Sequence, residues 1–436
     1  MRHFFEMETE QLYRLYRDSA GVATDTRSIG RDQIFFALKG ANFNGNSFAA
    51  EAIRQGAAWV VIDEPAYQGD RTILVDDSLK ALQLLATFHR KQLNIPVLAI
   101  TGTNGKTTTK ELIAAVLSKK YNAHYTRGNL NNHIGVPLTI LSAPEGTGLL
   151  IIEMGANHRG EIKALCDIAL PGFGLITNIG TAHIEGFGSF EGVIKTKTEL
   201  YAHLKSTNGV VIFNDKDQLL ASKVAEFRIT AVPYSAPEGI PLALEEVQAG
   251  LNLTINMEYR GEKRKIETGL FGKYNFWNVK AAIATGLYFG VSPDEIARAI
   301  SSYAPSNNRS QVKITLNNTL ICDSYNANPS SMTSAIRSFS ELKEPRKMVI
   351  LGDMLELGDT SEEEHSRIIS LLHSSGIENI ILTGQKFTEA AGDEGIKTFA
   401  DAKSLAGYLR ANPVKGYAIL IKGSRGIGLE KIYDLL

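Results

Sequence analysis

Residues 96–109 read PVLAITGTNGKTTT: a short apolar strand, a turn with two glycines, and the first residues of a helix. The common nucleotide-binding loop follows the pattern G-x-x-x-x-G-K-[ST], and Gly105-Lys106-Thr107 fits its end. That pattern places a glycine at position 100, where this chain has Ile100, and the only earlier glycine of the stretch is Gly102. The stretch therefore predicts a shortened phosphate loop between a buried strand and a helix.

The chemistry of phosphate binding supports this interpretation. A phosphate needs converging N–H donors and positive charge; glycines let the backbone turn back on itself, and a helix N-terminus adds its dipole. In such a loop Lys106 reaches the terminal phosphates and the Thr107 hydroxyl holds Mg²⁺. The alternative is an ordinary strand-to-helix turn with an incidental lysine. The strand before the turn and the helix after it favour the phosphate loop.

Composition limits the number of domains and the classes of binding partner. A chain of 436 residues predicts roughly three domains. Lys plus Arg total 46 and Asp plus Glu total 47, so no net charge attracts the chain to nucleic acid or to an anionic membrane. Any phosphate binding must therefore come from a local site.

Three further features of the sequence indicate the cellular compartment. The two cysteines, Cys166 and Cys322, form neither a disulfide framework nor a metal-binding spacing, which fits a reducing cytosol. The first residues, MRHFFEMETEQLYRLY, contain acids and lack the apolar stretch of a signal peptide. No apolar run approaches the ~18 residues of a membrane-spanning helix. We expect a cytoplasmic protein without membrane insertion.

The organisation predicts an α/β protein of three domains. Residues 1–95 mix strands and helices in a small α/β unit. Residues 96–304 alternate short apolar strands with helices, which is typical of a doubly wound, mostly parallel sheet. Residues 250–270 instead predict an antiparallel hairpin beside the main sheet, with its turn near Arg260-Gly261. A polar stretch at 302–311, SYAPSNNRSQ, reads as a linker.

The last region, 305–436, repeats strand, loop and helix and predicts a Rossmann-like domain. Its GSRGIG stretch does not match the dinucleotide fingerprint G-x-G-x-x-G. It also follows the last strand of the domain, whereas the fingerprint follows the first. Dinucleotide binding is therefore not expected.

Polar residues at strand ends are the next candidates. Glu153 ends the strand LLIIE, and Asp323 ends a strand of the last region; ligands bind at this edge of parallel sheets. Glu153 could hold Mg²⁺ or be a solvated acid, and the phosphate loop favours the metal. Asp323 could bind ribose hydroxyls or lie in a turn. His183 follows the strand LITNIG, where a lone histidine is usually structural.

Other candidates rest on weaker patterns. Lys195 and Lys197 lie in a helical stretch, where lysines are usually solvated. Asn275 and Asn278 are three residues apart at a helix start and share a face, so they could bind a purine edge or cap the helix. Arg309, in the linker, could reach a phosphate or be an ordinary surface arginine.

Taken together, these stretches resemble the Mur ligases, a family of ATP-dependent amide-forming enzymes of peptidoglycan precursor synthesis. The resemblance covers nearly the whole chain, and the short loop TGTNGKTTT is the form that this family uses. The other motifs occur in the family's order: DTRSIGRDQIFFALKG, GNLNNHIGVP, IIEMGANHRGEI, TNIGTAHIEGFGS, GKYNFWNVKAA and DSYNANPSSM. NLNNHIGVP, GANHRGEI and YNANP are similar to the member that adds D-alanyl-D-alanine. One departure is Asn44-Gly45-Asn46, where relatives often have Asp-Gly-His.

The resemblance implies a role for each matching residue. The implied ATP-binding residues are Gly102, Thr103, Asn104, Gly105, Lys106, Thr107, Thr108, Asn275, Asn278, Arg309 and Asp323. The implied residues along the uridine nucleotide and its muramyl peptide are Asp25, Thr26, Arg27, Ser28, Lys39, Gly40, Ala41, Asn42, Asn129, Asn132 and Arg159. The implied ligands of two Mg²⁺ ions are Thr107, Glu153, His183 and Lys197, the last as a carbamylated lysine. The implied catalytic residues are Lys106, Lys197, His183 and Glu153.

The implied reaction joins D-alanyl-D-alanine to UDP-N-acetylmuramoyl-tripeptide through an acyl phosphate made with ATP. One domain would hold the uridine end, the central one ATP and the last one the dipeptide, in a monomer. Alternatives are the ligase that adds the third amino acid and a folylpolyglutamate-synthase-like ligase. The former commonly carries an Asp-Asn-Pro-Arg motif, which this chain lacks, and the latter would not be expected to carry the motifs at 25–45.

Overall fold

The computed structural model describes residues 2–180, 184–248, 250–392 and 395–436, without the side chains of residues 2–8, 184, 185 and 248. Its N-terminal part holds a four-stranded parallel sheet in the order β1-β2-β5-β6, and β3 pairs with β4 in a small hairpin. The strands are β1 (Val22–Ala23), β2 (Ile34–Phe36), β3 (Lys39–Gly40), β4 (Phe43–Asn44), β5 (Trp59–Ile62) and β6 (Thr72–Leu74). The helices are α1 (Arg2–Arg17), α2 (Ala49–Arg54) and α3 (Ser78–Leu93).

The central part contains a six-stranded sheet in the order β12-β11-β10-β7-β9-β8, parallel throughout. Its strands are β7 (Val97–Thr101), β8 (Ala123–Tyr125), β9 (Leu149–Glu153), β10 (Phe173–Ile176), β11 (Val210–Phe213) and β12 (Thr230–Pro233). Its helices are α4 (Lys106–Leu117), α5 (Gly135–Leu141), α6 (Glu161–Ala169), α7 (Ile184–Phe187), α8 (Phe190–Lys197), α9 (Glu199–Ser206), α10 (Gln218–Phe227), α11 (Phe276–Tyr288) and α12 (Pro293–Ser302). This is the doubly wound parallel sheet that the strand–helix alternation predicts.

The third sheet has nine strands in the order β13-β14-β15-β16-β17-β21-β18-β19-β20. The strands are β13 (Leu242–Gln248), β14 (Asn252–Tyr259), β15 (Glu262–Phe271), β16 (Gln311–Ile314), β17 (Thr319–Asp323), β18 (Lys347–Gly352), β19 (Asn379–Thr383), β20 (Lys397–Phe399) and β21 (Ala418–Lys422). The helices are α13 (Pro329–Ser340), α14 (Ser361–Ser374), α15 (Gln385–Ala391) and α16 (Ala402–Ala411). Pairing is antiparallel from β13 to β17 and parallel from β17 to β20, so the sheet is mixed.

Burial explains why the strands form. Every residue of β7, β9 and β21 is buried, as expected for parallel strands covered by helices on both faces. One apolar cluster joins Leu82 and Leu85 of α3 to Ile140 of α5 and Leu165 of α6. The N-terminal and central domains therefore share a core. The carboxyl ends of β7, β9 and β17 border one cavity, described below.

Most expected elements are confirmed, and two differ. The predicted turn near Arg260-Gly261 is present, with positive φ at both residues. The hairpin is hydrogen-bonded to the C-terminal sheet through Leu270 and Gln311, so this sheet crosses the predicted boundary at 304/305; the domain limits stay predictions. An α-helix expected after the last strand is wrong in type: Leu429–Leu435 is a 3-10 helix. Leu429, Ile432 and Tyr433 are its buried residues.

Two absences concern the described part of the chain only. No helix there combines the length and the apolar character needed to cross a bilayer. Cys166 and Cys322 are buried and free, as expected from their spacing.

Candidate active site

The turn after β7 is built so that only glycine fits at two positions. Gly102 and Gly105 have φ of +142° and +76°, in the region that other residues adopt at a cost. A Cβ on Gly102 would lie 2.0 Å from Thr177 Oγ1, and one on Gly105 would lie 2.4 Å from Asn278 Oδ1. The two glycines of the motif thus allow close packing against Thr177, which follows β10, and against α11.

Neighbouring side chains hold the loop in this conformation. Asn104 N–H donates to Asn178 Oδ1 at 3.1 Å, and its carbonyl accepts from Asn178 Nδ2 at 3.0 Å and from Thr177 Oγ1 at 2.6 Å. Thr103 N–H donates to the Asn178 carbonyl at 2.9 Å. Protein groups alone therefore hold the loop backbone, which is the preorganisation that phosphate binding requires.

Lys106, the first residue of α4, lies folded over its own loop. Its Nζ donates to the carbonyls of Gly102 at 2.7 Å and Thr103 at 3.0 Å. Burial lowers the pKa of Lys106 to about 8; Glu153 opposes this shift and the positive charge of Arg309 adds to it. A polyanion bound here would favour the charged amine.

Thr107 and Glu153 form the pair that the sequence predicts at the strand edge. Thr107 Oγ1 donates to Glu153 Oε1 at 3.1 Å, and Asn131 Nδ2 donates to the same oxygen at 2.8 Å. Glu153 is 1% exposed, and its Oε2 has no hydrogen-bond partner among the described residues. The nearest cation is Lys110, with Nζ 3.8 Å from Oε2. A buried carboxylate oxygen without a hydrogen bond is costly and suits a cation.

A cavity of about 730 Å³ joins these residues to the C-terminal domain. The predicted site residues that line it are Thr103, Asn104, Gly105, Lys106, Thr107, Thr108, Asn132, Glu153, Asn275, Asn278, Arg309 and Asp323. Twelve residues from distant parts of the sequence thus surround one space. The volume is in the range of small-molecule sites.

Asn275 and Asn278 bond to the protein itself. Asn278 Nδ2 donates to Asn275 Oδ1 at 2.8 Å, and its Oδ1 accepts from Thr109 Oγ1 at 3.0 Å. Asn275 Nδ2 donates to the Phe271 carbonyl at 2.8 Å. Neither side chain caps α11, so the capping alternative is wrong. The pair connects α11 to α4, the helix that follows the phosphate loop.

Arg309 and Asp323 line the same cavity. The Arg309 guanidinium stacks 3.7 Å from the centre of the Tyr325 ring, and its buried Nε has no hydrogen-bond partner in the described chain. Asp323 Oδ2 accepts from the buried Lys422 Nζ at 2.7 Å, and its Oδ1 accepts from Ser310 N–H at 3.0 Å. The Arg309 guanidinium can bind an anion, whereas the Asp323 carboxylate already accepts a hydrogen bond from Lys422.

Lys197 lies in α8 and is 3% exposed, so the expectation of a solvated lysine is wrong at this position, whereas Lys195 of the same helix is exposed as expected. Its Nζ lies 5.6 Å from the centre of the Phe187 ring. Burial lowers the pKa of Lys197 to about 7, and the charge of Lys106 adds to the shift while Glu161 and Glu199 oppose it. His183 lies outside the described residues.

The predicted uridine residues lie on the N-terminal domain, away from the cavity lining. Asp25 to Ser28 form a capped turn in which hydrogen bonds from Arg27 lower the pKa of Asp25 to about 2. Lys39 to Asn42 lie in the exposed β3–β4 hairpin, where Lys39 Nζ is 3.1 Å from Asp63 Oδ1. Asn129 and Arg159 are exposed and outside the lining. Asn46 belongs to the Asn44-Gly45-Asn46 stretch, where the sequence departs from the family pattern. It is fully buried, and its Nδ2 donates a hydrogen bond to Asp63 Oδ1 at 2.8 Å, which is a structural contact.

Sequence reasoning missed several residues of the site. Besides Thr177 and Asn178, which hold the phosphate loop, these are Lys110, Asn131, Tyr274, Asn328, Ser330 and Lys422. Asn328 carried a local signal, because Asn before Pro329 is a typical helix N-cap, and it does cap α13. Nothing local distinguishes Lys422, since its partner Asp323 is 99 residues away.

Three sequence-family descriptions match the chain. Residues 19–90 match "Mur ligase family, catalytic domain", residues 100–286 match "Mur ligase middle domain" and residues 308–425 match "Mur ligase, glutamate ligase domain". A relative from Bacillus subtilis (strain 168), named UDP-N-acetylmuramoyl-tripeptide–D-alanyl-D-alanine ligase, is 37% identical over 94% of this chain and 92% of its own.

Solved structures agree with the sequence matches. MurF from Acinetobacter baumannii superposes with a TM-score of 0.84 at 30% identity, over 95% of this chain and 92% of that one. MurF ligase from Thermotoga maritima in complex with ADP superposes with a TM-score of 0.84 at 26% identity, over 97% of each chain. By its sequence, its three-domain fold and its short phosphate loop, this chain belongs to the Mur ligase family.

Proposed function

We propose that this chain is an ATP-dependent carbon–nitrogen ligase that joins D-alanyl-D-alanine to UDP-N-acetylmuramoyl-tripeptide in the cytoplasm. The observation that carries the proposal is the meeting of Lys106, Thr107 and Glu153 with Arg309 and Lys422 around one cavity. Phosphate-binding, metal-binding and C-terminal-domain groups thus face a common space. The name of the Bacillus subtilis relative supplies the two substrates.

The residues present fit Mg²⁺ at Thr107 and Glu153. The fit rests on the buried Glu153 Oε2, which has no hydrogen-bond partner in the described part of the chain. No group of three or more His, Cys, Asp or Glu side chains suited to a metal lies together there. Mg²⁺ commonly uses one or two carboxylates together with substrate phosphates and water, so a lone carboxylate suffices. Bound Mg²⁺ would neutralise phosphate charge.

The proposed reaction proceeds in two steps. An oxygen of the tripeptide carboxylate attacks the γ-phosphorus of ATP, the bond to the β-phosphate oxygen breaks, and ADP leaves an acyl phosphate behind. The dipeptide amine then attacks the acyl carbon, the carbon–oxygen bond breaks, phosphate leaves and the nitrogen loses a proton. Lys106 and Arg309 bind and neutralise the phosphoryl oxygens, so the protein contributes mainly positioning and charge.

Other implied roles are part of the proposal. The hydrogen-bonded pair Asn275–Asn278 would face the adenine and Asp323 the ribose. The exposed turn at 25–28 and the hairpin at 39–42 would bind the uridine nucleotide, and Asn129, Asn132 and Arg159 would line the peptide channel. His183 would serve a second Mg²⁺.

We also infer that Lys197 is carbamylated and supplies an anionic ligand for the second Mg²⁺. Carbon dioxide reacts with the neutral amine, and burial next to the charged Lys106 favours that form. We expect isotope-labelled bicarbonate to label Lys197 and bicarbonate depletion to slow ligation. Lys195→Met, which changes an exposed lysine of the same helix, should change neither result. A protein that ligates at full rate without labelled Lys197 would contradict the inference.

The decisive test of the function is substrate-dependent phosphate release. Purified protein should release phosphate from ATP only when both UDP-N-acetylmuramoyl-tripeptide and D-alanyl-D-alanine are present, with one amide formed per phosphate. A substrate panel separates the alternatives if it also contains the UDP-muramyl-dipeptide used by the ligase that adds the third amino acid, and a folyl substrate. Equal phosphate release with and without the peptide substrates would sink the ligase assignment and favour a plain ATPase.

A further inference from the structure

The phosphate loop touches the C-terminal domain through a closed ring of three side chains. Asn328 Nδ2 donates to Asn104 Oδ1 at 2.7 Å, and Asn104 Nδ2 donates to Ser330 Oγ at 2.7 Å. Ser330 Oγ in turn donates to Asn328 Oδ1 at 3.0 Å. We call Asn104, Asn328 and Ser330 the interdomain ring.

Two of the three N–H donors of Asn104 are committed within the protein in this arrangement. Its backbone N–H is given to Asn178 and its side-chain amide to Ser330. Its backbone therefore belongs to the central domain, while its side chain holds the C-terminal domain. Gly105 and Lys106 follow Asn104 directly in the chain. A shift of Asn104 therefore moves the Gly105 backbone and the Lys106 side chain, which face the phosphates.

The C-terminal partners are equally fixed. Asn328 is the N-cap of α13: its Oδ1 accepts from Ser331 N–H at 2.9 Å, and Ser331 Oγ accepts from Asn328 N–H at 3.1 Å. The ring thus joins the start of a 12-residue helix to the phosphate loop. Ser330, Ser331 and Ser334 of this helix line the main cavity.

From this geometry we propose that Asn104 is a positioning residue that couples the phosphate loop to the C-terminal domain. The ring sets α13 in register with the loop, so that the dipeptide amine meets the acyl phosphate before water does. This inference rests on the proposed ligase function. It assigns Asn104 to the second step, amide formation, whereas a phosphate ligand would act on ATP binding.

Asn328→Asp tests the ring without removing the helix cap. Aspartate caps as well as asparagine, but it replaces the donor to Asn104 Oδ1 by a carboxylate oxygen. We expect the KM for D-alanyl-D-alanine to rise about ten-fold, because Asn104 Oδ1, a part-buried acceptor, loses its donor, and the ratio of phosphate released to amide formed to exceed one. ADP affinity, measured without dipeptide, should stay within about two-fold. Asp401→Asn, the reverse exchange at the distant N-cap of α16, should behave as wild type.

A double-mutant cycle completes the test. If Asn104 acts through the ring, Asn104→Ala and Asn328→Asp should not add their effects on coupling. A ratio of one and an unchanged KM in Asn328→Asp would overturn the proposal, as would a loss of ADP affinity in Asn104→Ala equal to its loss of ligation. A wild-type protein that makes no amide would instead refute the proposed function, and the inference with it.

Discussion

Replacing Lys106 by alanine is expected to slow amide formation on the order of a thousand-fold, the effect of removing a preorganised charge from a phosphoryl-transfer site. The Lys106 ammonium is the only lysine group that donates to the carbonyls of the loop itself among the described residues. Its position at the first turn of α4 places it where the helix dipole also favours anions. Rate measurements by chromatography of the ligated product would give the loss directly.

The fold of the Lys106→Ala variant should survive. Alanine is a good helix former, and the loop keeps its bonds to Thr177 and Asn178. Lys119→Ala, which removes an exposed lysine in the turn that follows the same helix, is the matched control and should keep full activity. Ligation within ten-fold of wild type by a folded Lys106→Ala protein would refute the assignment of the loop.

The sequence predicts the parts of the site that are local in the chain. Gly102, Gly105 and Lys106 belong to one turn, and Glu153 and Asp323 each end an apolar strand, so a short stretch suffices to identify them. Their meeting at one cavity follows from a general rule, because ligands bind at the carboxyl edge of parallel strands. The family resemblance then connects the separate motifs.

Contacts between distant segments could not be predicted in this way. Lys422 pairs with Asp323, and Asn328 with Asn104, across 99 and 224 residues. Such pairs depend on how sheets and domains dock, and no local periodicity records this. The burial of Lys197 is of the same kind: its helix has an ordinary amphipathic pattern, and the amine is removed from water only by tertiary packing, in which Phe187 takes part.

Glu153→Gln should lower turnover about a hundred-fold and raise the Mg²⁺ concentration needed for half-maximal rate, since the variant removes the charge and keeps the shape. Folding stability should change by less than about 1 kcal/mol. Thr107 and Asn131 keep an amide oxygen to donate to, and Lys110 retains Glu111 at 2.9 Å and the Thr126 carbonyl at 2.6 Å. The buried lysine is therefore not left without a partner.

Glu111→Gln separates the metal role from the pairing with Lys110. Glu111 binds the same ammonium from the other side and lines a second cavity of about 430 Å³, so its loss perturbs Lys110 without touching the metal position. Mn²⁺ binding, followed by paramagnetic resonance with ADP present, should weaken in Glu153→Gln and stay normal in Glu111→Gln. Equal weakening in both variants would mean that Glu153 acts by balancing Lys110. A loss confined to Glu153→Gln would mean that the Glu153 carboxylate, whose Oε2 accepts no hydrogen bond from a described residue, is kept for the cation.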